Sequence, residues 1–393
     1  MKAVYLSSVE DLKNDQESPK NDRAGEEAIA GQSAIAGQSA IAGQSAERPN
    51  KADDTDPLAN LTVGELPEPL VPPGWALVKM EAASLNHHDL WTLQGVSSRP
   101  VSPPQVLGCD GAGRVVAYGH YGQEEVPFSA PPIGTEVVAY PVISCGTCLA
   151  CRSGNELLCH DMALLSEGNY QGTLAELFVV PIANLIALPE GVSPVAAASL
   201  STTYLTAYHM LYGRARLSPG DTILVNGATG GVAVAAIQLA ALGSIRVIAT
   251  ARTPEKRDYA LRMGAIAAFE SSVESAREIQ RYTSGGVDAV IETVGAPTWE
   301  LSLRSVKPDG VVVISGATGG GNPPAMLQRI FWRQIRIAGS TMGTYQELRT
   351  LVNLAAADWL HPQVDSVTPL GDARSAFERL YRGEQAGKLI IIP

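Results

Sequence analysis

The segment DTILVNGATGGVAVAAIQLAALGSIRVIAT, residues 221–250, is the part of this 393-residue chain that says most about its fold. Its pattern predicts a buried strand over Thr222–Asn226, a glycine turn over Gly227–Ala233, a small-faced helix over Ala235–Leu242 and a strand over Arg246–Thr250. A glycine pair alone is weak evidence, but a turn that follows a strand and opens a helix can bring backbone N–H groups to a pyrophosphate. We therefore predict a dinucleotide site at Gly227, Ala228, Thr229, Gly230, Gly231 and Val232.

Further strands extend this unit. The segments VDAVIETVG, KPDGVVVISG and RIAGS follow it with helical stretches between them. Strands that alternate with helices are typical of a parallel sheet with helices on both faces. We predict an α/β, doubly wound domain over about residues 204–340, preceded by a long Ala-rich helix from Pro194.

The end of the second strand bears on cofactor choice. An acidic residue there would bind both ribose hydroxyls and favour NAD. This chain instead has Ala251 at that place, followed by Arg252 and, four residues later, Lys256. A guanidinium suits a 2′-phosphate, so Arg252 and Lys256 predict NADP(H). The alternative is a solvated charge cluster at a helix start, opposed by Glu255.

Short strands with Gly and Pro between them fill residues 61–185, including WALVKMEAASL, GRVVAYG, GTEVVAY and AELFVVP. They predict a compact, mostly β domain. The strands MKAVYLS and NLTVGEL flank an insert at about residues 10–57, where AIAGQS occurs three times between Ala28 and Ser45. A coil of parallel β-helix is one interpretation of this period, but three hexapeptides bury too little. A low-complexity, disordered loop is the interpretation that we prefer.

Four of the five cysteines lie within fifteen residues, in the spacing C-x2-C-x2-C-x7-C. Thiolates with such spacing can close a tetrahedral site around Zn²⁺. Two disulfides or four unrelated thiols are the alternatives, and a reducing compartment argues against the disulfides. We predict one structural Zn²⁺, in a lobe over about residues 143–160, held by Cys145, Cys148, Cys151 and Cys159.

Composition excludes some classes of partner. The net charge of −11 and the pI near 5.1 argue against nucleic acid or an anionic membrane surface. The first residues turn acidic too soon for a secretory signal, and no run of eighteen apolar residues occurs. We expect a cytoplasmic protein.

The motifs SLNHHDLW, VLGCDGAGRVV, GNYQGTLAEL, TTYLTAYHML, NGATGGVA and GKLII, together with the cysteine lobe, resemble the medium-chain dehydrogenase/reductase superfamily. That superfamily includes zinc alcohol dehydrogenases and zinc-free quinone oxidoreductases. The resemblance implies a GroES-like, mostly β catalytic domain at residues 1–203 and a Rossmann cofactor domain at 204–340. It further implies a return to the catalytic domain at 341–393, and a homodimer that joins the two cofactor sheets near IRIAGS.

The resemblance breaks at the catalytic metal. Positions that hold zinc ligands in metal-dependent members correspond here to Asn86, Cys109, Asp110 and Thr202. Asn and Thr are poor zinc ligands, although Cys109 and Asp110, or His87 or His88 after rearrangement, remain possible ligands. We expect no catalytic zinc, with Asn86 and Thr202 lining the site and donating hydrogen bonds to an oxyanion. Tyr204 is a weaker candidate for a proton donor.

These features favour an NADPH-dependent reductase of a quinone, enone or enoyl substrate, because such substrates accept hydride without a Lewis acid. Two alternatives stay open. One is a zinc-dependent alcohol dehydrogenase with atypical ligands. The other is a non-catalytic NADPH-binding protein with a structural or regulatory role, using the AIAGQS insert as its contact surface.

Overall fold

A computed structural model describes residues 1–8, 56, 58–96, 99–119 and 129–393. The insert predicted at about residues 10–57, with its AIAGQS repeats, lies almost entirely outside these ranges. Two large sheets organise the described residues: a six-stranded parallel sheet and a seven-stranded, mostly antiparallel sheet. Among the helices described, none is both long and apolar enough to cross a membrane.

The strands in chain order are β1 (Lys2–Leu6), β2 (Leu61–Glu65), β3 (Trp75–Ser84), β4 (Gln105–Val106), β5 (Asp110–Tyr118), β6 (Glu136–Ala139), β7 (Val142–Ile143), β8 (Ala163–Leu164), β9 (Leu177–Pro181), β10 (Leu185–Ala187), β11 (Thr222–Asn226), β12 (Arg246–Ala251), β13 (Ala267–Glu270), β14 (Val287–Glu292), β15 (Val306–Ile314), β16 (Arg336–Gly339), β17 (Val364–Pro369) and β18 (Lys388–Ile392). The helices are α1 (His87–Leu93), α2 (Leu149–Arg152), α3 (Pro194–Ser199), α4 (Leu205–Tyr208), α5 (Gly231–Leu242), α6 (Pro254–Arg262), α7 (Ser275–Tyr282), α8 (Ala296–Ser305), α9 (Leu327–Trp332), α10 (Tyr345–Ala356) and α11 (Ala373–Arg382).

The parallel sheet has the strand order β13-β12-β11-β14-β15-β16. This is the doubly wound order, whose reversal point between β11 and β14 forms a crevice for a ligand. All five residues of β11 are buried, as a parallel strand covered on both faces requires. The strand over Thr222–Asn226 is confirmed, but the helix begins at Gly231, earlier than the predicted Ala235, because Gly230 already serves as its N-cap.

The stretch after Pro194 is helical but not a regular α-helix. Two wide π turns, Leu200–Tyr204 and His209–Arg214, alternate with α3 and α4. Such turns bulge the backbone outward and often occur at functional sites. The first one carries Thr202, so the irregularity coincides with a predicted site residue.

The antiparallel sheet has the order β10-β6-β5-β3-β18-β17, with β9 also paired to β3. Its β18 comes from the far C-terminal part of the chain, and Ile390 pairs with Ser84 of β3. The cysteine lobe forms an excursion between β7 and β8. The predicted domain boundaries stay a prediction, but strands from both parts of the chain share this sheet.

A separate three-stranded sheet anchors the two sides of the insert. β1 and β2 pair antiparallel from Lys2 opposite Glu65 to Leu6 opposite Leu61. Beyond the pair, the Ser7 N–H donates to the carbonyl oxygen of Asn60 over 3.1 Å. The polypeptide therefore enters and leaves the insert at neighbouring points.

Candidate active site and metal centre

The four lobe cysteines come together. Their Sγ atoms all lie within 4.8 Å of one another, and none is in a disulfide. The Sγ atoms of Cys148 and Cys151 are 3.5 Å apart, and those of Cys145 and Cys151 are 3.9 Å apart. A tetrahedron with Zn–S bonds of about 2.3 Å has sulfur–sulfur edges of about 3.8 Å. The residues therefore fit a four-thiolate zinc site.

Local hydrogen bonds favour the ionised form of one of these cysteines, Cys145. Backbone N–H groups of Cys148 and Thr147 lower the pKa of Cys145 to about 6, which favours the thiolate. Burial raises the pKa of Cys159 to about 11, so a bound cation would have to ionise this thiol. The four ligands are all protein atoms, which leaves no coordination position for a substrate.

The predicted catalytic residues form a second cluster, centred on Asp110. This side chain is fully buried at the start of β5. Its Oδ2 accepts hydrogen bonds from Ser84 Oγ at 2.7 Å, Asn86 Nδ2 at 2.8 Å and Lys388 Nζ at 3.3 Å. Its Oδ1 accepts one from Thr202 Oγ1 at 2.5 Å. Both carboxylate oxygens are therefore engaged.

Asn86 and Thr202 donate to different oxygens of this carboxylate and differ in their access to solvent. Asn86 is 6% exposed, and its Oδ1 accepts from Lys388 Nζ at 2.8 Å. Its amide Nδ2 points to Asp110 and to Cys109 Sγ at 3.5 Å. Thr202 is only half-buried. Of the two residues predicted to donate to an oxyanion, Thr202 therefore has the better access to the cleft, and the donors of both residues are used within the cluster.

Cys109 completes the cluster as a neutral thiol. Its Sγ lies 3.5 Å from Thr202 Oγ1. Burial, and then the charge of Asp110, raises the pKa of Cys109 well above the usual range. Without a cation beside it, this thiol stays protonated.

These residues do not fit a second zinc. The ammonium of Lys388 already occupies Oδ2 of Asp110, and the Thr202 hydroxyl occupies Oδ1. His88 instead bonds through Nε2 to Glu167 Oε1 at 3.0 Å. Within the described ranges, the clusters able to hold a metal are the four cysteines and Cys145 with the exposed His160 and Asp161.

The Tyr204 hydroxyl is not placed to donate a proton to a substrate. It is 1% exposed, its hydroxyl donates to Gln238 Oε1 and it accepts the N–H of Gln363 at 2.7 Å. Burial raises its pKa well above the usual value. This side chain ties α5 to the segment before β17.

The glycine turn lies beside the cluster. Gly227 has φ +70°, and a Cβ added to it would approach Val294 Cγ2 to 3.1 Å. A Cβ on Gly231 would meet Thr203 Cγ2 at 2.8 Å and Lys388 Cδ at 3.8 Å. Glycine at 231 therefore permits the close approach of α5 to the cleft, and the first turn of α5 directs its N–H groups toward this crevice.

The two basic residues predicted for a 2′-phosphate are placed differently. Arg252 is exposed immediately after β12. Lys256, in the first turn of α6, donates through Nζ to the carbonyl oxygen of Gly383 at 3.3 Å. Arg252 is therefore available to a ligand at the strand end, while Lys256 also tethers the segment between α11 and β18.

A buried carboxylate that the sequence analysis did not single out supports the crevice. Glu292, at the end of β14, is fully buried. Its oxygens accept from Asn226 Nδ2 at 2.9 Å, from the N–H of Val294 at 2.8 Å and from Gly295 at 3.0 Å. Thr298 and Ser302 donate to it as well. Glu292 thereby fixes the loop that packs against Gly227.

The chain is similar to two protein families and to several individual proteins. A family model described as an alcohol dehydrogenase GroES-like domain matches residues 72–190, and one described as a zinc-binding dehydrogenase matches residues 231–357. An acryloyl-coenzyme A reductase of Metallosphaera sedula is 29% identical over 334 residues, covering 84% of this chain and 95% of the relative. An NAD-dependent alcohol dehydrogenase of Sulfurisphaera tokodaii is 30% identical over 344 residues, covering 85% and 96%.

Similarity to solved structures agrees with these family matches. The crystal structure of an NAD-dependent alcohol dehydrogenase superposes with a TM-score of 0.79 at 35% identity, covering 86% of this chain and 97% of that chain. The matches confirm the predicted fold class, a GroES-like domain combined with a Rossmann-type sheet.

Proposed function

The chain belongs to the medium-chain dehydrogenase/reductase superfamily, and from this premise we propose that it is an NADPH-dependent reductase of a quinone, enone or enoyl substrate that works without a catalytic zinc. The engagement of both Asp110 oxygens by Thr202, Ser84, Asn86 and Lys388 carries this proposal. Nothing in that arrangement offers a cation the imidazole and thiolate ligands that zinc prefers. The similarity to an acryloyl-coenzyme A reductase is in line with an enoyl substrate.

Bound NADPH supplies the hydride, and the protein must stabilise the negative charge that hydride addition places on the substrate oxygen. Thr202 is the half-buried donor of the cluster. Its single hydroxyl hydrogen is donated to Oδ1 of Asp110 here and would turn to the substrate oxygen when one is bound, while Oδ2 of Asp110 keeps its three donors. Thr202 would thus act as the oxyanion donor, and Asn86 would hold Asp110 in place.

The position of Arg252 supports NADPH as the cofactor. Its exposed guanidinium follows directly on β12, where an NAD-specific site would have a carboxylate. Ala251 supplies no carboxylate to oppose a 2′-phosphate. Lys256 would add positive charge at the same helix start, although its ammonium is shared with Gly383.

The lobe would hold one structural Zn²⁺ through Cys145, Cys148, Cys151 and Cys159. Glu156, between the third and fourth cysteines, accepts the N–H of Tyr345 at 2.6 Å and the hydroxyl of Tyr140 at 3.1 Å. The metal would therefore stabilise the lobe and, through Glu156, the start of α10.

A homodimer is part of the proposal. β16 is the outer strand of the parallel sheet, and apolar side chains near it are exposed, among them Phe331 at 65%, Trp332 at 82% and Ile337 at 41%. Edge-to-edge pairing of two such sheets would cover both the free strand edge and this apolar surface. Analytical ultracentrifugation of the wild type and of Trp332→Lys tests it, and a monomeric wild type would refute the dimer.

One experiment separates the candidate functions. Metal is counted anaerobically, and NADPH oxidation is screened over quinones, enones, enoyl thioesters, aldehydes and ketones. One zinc per chain with turnover of quinones or enones supports the proposal, whereas a second zinc overturns it. The alcohol dehydrogenase similarity favours the second candidate, which would show two zincs and turnover of aldehydes or ketones. Tight NADPH binding with no turnover would indicate a non-catalytic protein.

A further inference from the structure

Lys388 contributes a buried positive charge to the cleft. Its side chain is 3% exposed. The ammonium donates to the carbonyl oxygen of Leu85 at 2.9 Å, to Asn86 Oδ1 at 2.8 Å and to Asp110 Oδ2 at 3.3 Å. An ammonium has three N–H groups, and all three are used.

The position of Lys388 follows from the sheet. It is the first residue of β18, and its own N–H donates to the carbonyl oxygen of Gln363. The adjacent Leu389 accepts the N–H of Leu85, which fixes β18 against the end of β3. The Lys388 stem passes under the start of α5, 3.8 Å from the place of a Cβ on Gly231. The Lys388 stem thus lies against the start of α5.

The burial of this ion pair sets it apart. In the part of the chain that the structure describes, Lys388–Asp110 is the only ion pair in which both side chains are less than 5% exposed. The other ion pairs each have at least one partner with greater access to solvent, as in Lys307–Asp288, where the exposed fractions are 47% and 24%. A buried pair of this kind is weak evidence for stability, because desolvation opposes the attraction.

We infer that Lys388 is a positioning residue, and that its ammonium supplies the fixed positive charge that orients Asn86 and Asp110 and, through Asp110, the Thr202 hydroxyl. This inference rests on the proposed zinc-free reduction. An ammonium can only donate, so Asn86 must turn Oδ1 toward Lys388 and Nδ2 toward Asp110. With Oδ2 held by Ser84, Asn86 and Lys388, Oδ1 faces Thr202.

The test compares Lys388→Met, which keeps the stem length and removes the charge, with Lys388→Arg, which keeps the charge. Lys307→Met, which breaks a partly exposed ion pair on the other sheet, is the matched control. We expect kcat for the best enone or quinone to fall about 10–100-fold in Lys388→Met. We expect KM for NADPH to change less than threefold, kcat to recover partly in Lys388→Arg, and the control to match the wild type. A folded Lys388→Met enzyme with kcat within twofold of the wild type overturns the inference.

If Lys388→Met does not fold, the double variant Lys388→Met with Asp110→Asn removes both buried charges together. A folded double variant whose kcat stays at least tenfold low supports the positioning role, while one with wild-type kcat overturns it. If the double variant also fails to fold, Lys388→Arg decides: a kcat within tenfold of the wild type supports the role of the charge, and a larger loss overturns it. Failure of the parent proposal is distinguishable. A second zinc in the wild type refutes both the zinc-free reduction and the positioning role of Lys388. If the wild type holds one zinc and reduces enones, but Lys388→Met keeps the wild-type kcat, only the positioning role is refuted.

Discussion

The Thr202 hydroxyl donates a 2.5 Å hydrogen bond to Oδ1 of Asp110, a residue 92 positions earlier in the chain. The wide π turn over Leu200–Tyr204 carries Thr202, and β5 carries Asp110. Because the carboxylate is fully buried while the threonine is half-buried, the pair connects the interior of the protein to the cleft.

Thr202→Val should lower kcat by about 10²-fold, since removal of one oxyanion donor typically has that effect. Steady-state kinetics with the best enone or quinone measure it. Thr206→Val is the control, because that hydroxyl lies on the following helical turn and contacts Met342 Sδ at 4.0 Å. Equal kcat values in Thr202→Val and the wild type would remove Thr202 from the chemistry.

Arg252→Ala should reduce kcat/KM for NADPH by about 10–100-fold and leave that for NADH nearly unchanged, because a hydrogen-bonded charge on the 2′-phosphate is worth about 1.5–3 kcal/mol. Initial rates with both cofactors measure the ratio. The exposed Arg262, at the far end of α6 and stacked on Tyr259, provides the control Arg262→Ala. The NADPH prediction fails if the wild type prefers NADH, or if Arg252→Ala leaves the ratio as it was.

Removal of zinc by a chelator should release one equivalent and lower the melting temperature by roughly 5–10 °C, the shift expected for about 3 kcal/mol in a domain of this size. Hydrogen exchange at the start of α10 should quicken, since Glu156 of the lobe accepts the N–H of Tyr345. Calorimetry and mass spectrometry measure the two effects. His160→Ala, outside the four-cysteine cluster, should retain the metal; its loss there would assign the site to the Cys145–His160–Asp161 group.

Glu292→Gln should lower the free energy of unfolding by about 2–4 kcal/mol, because the amide nitrogen would face donors that now point at a carboxylate. Asn226, Val294 and Gly295 all donate to Glu292. Urea unfolding followed by fluorescence measures it. Glu300→Ala removes an exposed partner of Arg304 and should change stability by less than about 0.5 kcal/mol. Equal losses in the two variants would contradict the structural role of Glu292.

Deletion of residues 25–46 should leave the melting temperature within about 2 °C of the wild type and activity within twofold, because a longer loop adds little closure entropy once its ends are held. The β1–β2 pairing and the Ser7–Asn60 hydrogen bond hold those ends. Differential scanning fluorimetry and NADPH oxidation check both expectations. A deletion variant that keeps NADPH binding but changes its state of association would instead favour the insert as a contact surface.

The sheets were predictable because their signals are local. The sequence pattern of the strand over Thr222–Asn226 and of the glycine turn is contained in about ten consecutive residues, and the structure has the strand at that place. The helix start at Gly231 was missed because a glycine N-cap gives no side-chain signal. The π turns near Thr202 were missed because their sequence is that of an ordinary helix.

The candidate site was only partly predictable. Motif positions nominated Asn86, Cys109, Asp110 and Thr202, and hydrogen bonds join these four in the structure. Lys388 was missed because the residues around it predict only a strand. Its contacts depend on the register in which that strand pairs with β3, which the sequence does not show. Glu292 was missed for a related reason, because the donors that surround it come from several elements.

The late arrival of β18 has a consequence for biosynthesis. Lys388 lies 278 residues after Asp110, so at roughly 5–20 residues per second a ribosome needs about 14–56 s to make the intervening chain. Throughout that interval β3 lacks the neighbour that β18 provides. A nascent sheet with an open strand edge is prone to aggregate, so the exposed edge of β3 is an aggregation hazard until the last residues of the chain are made.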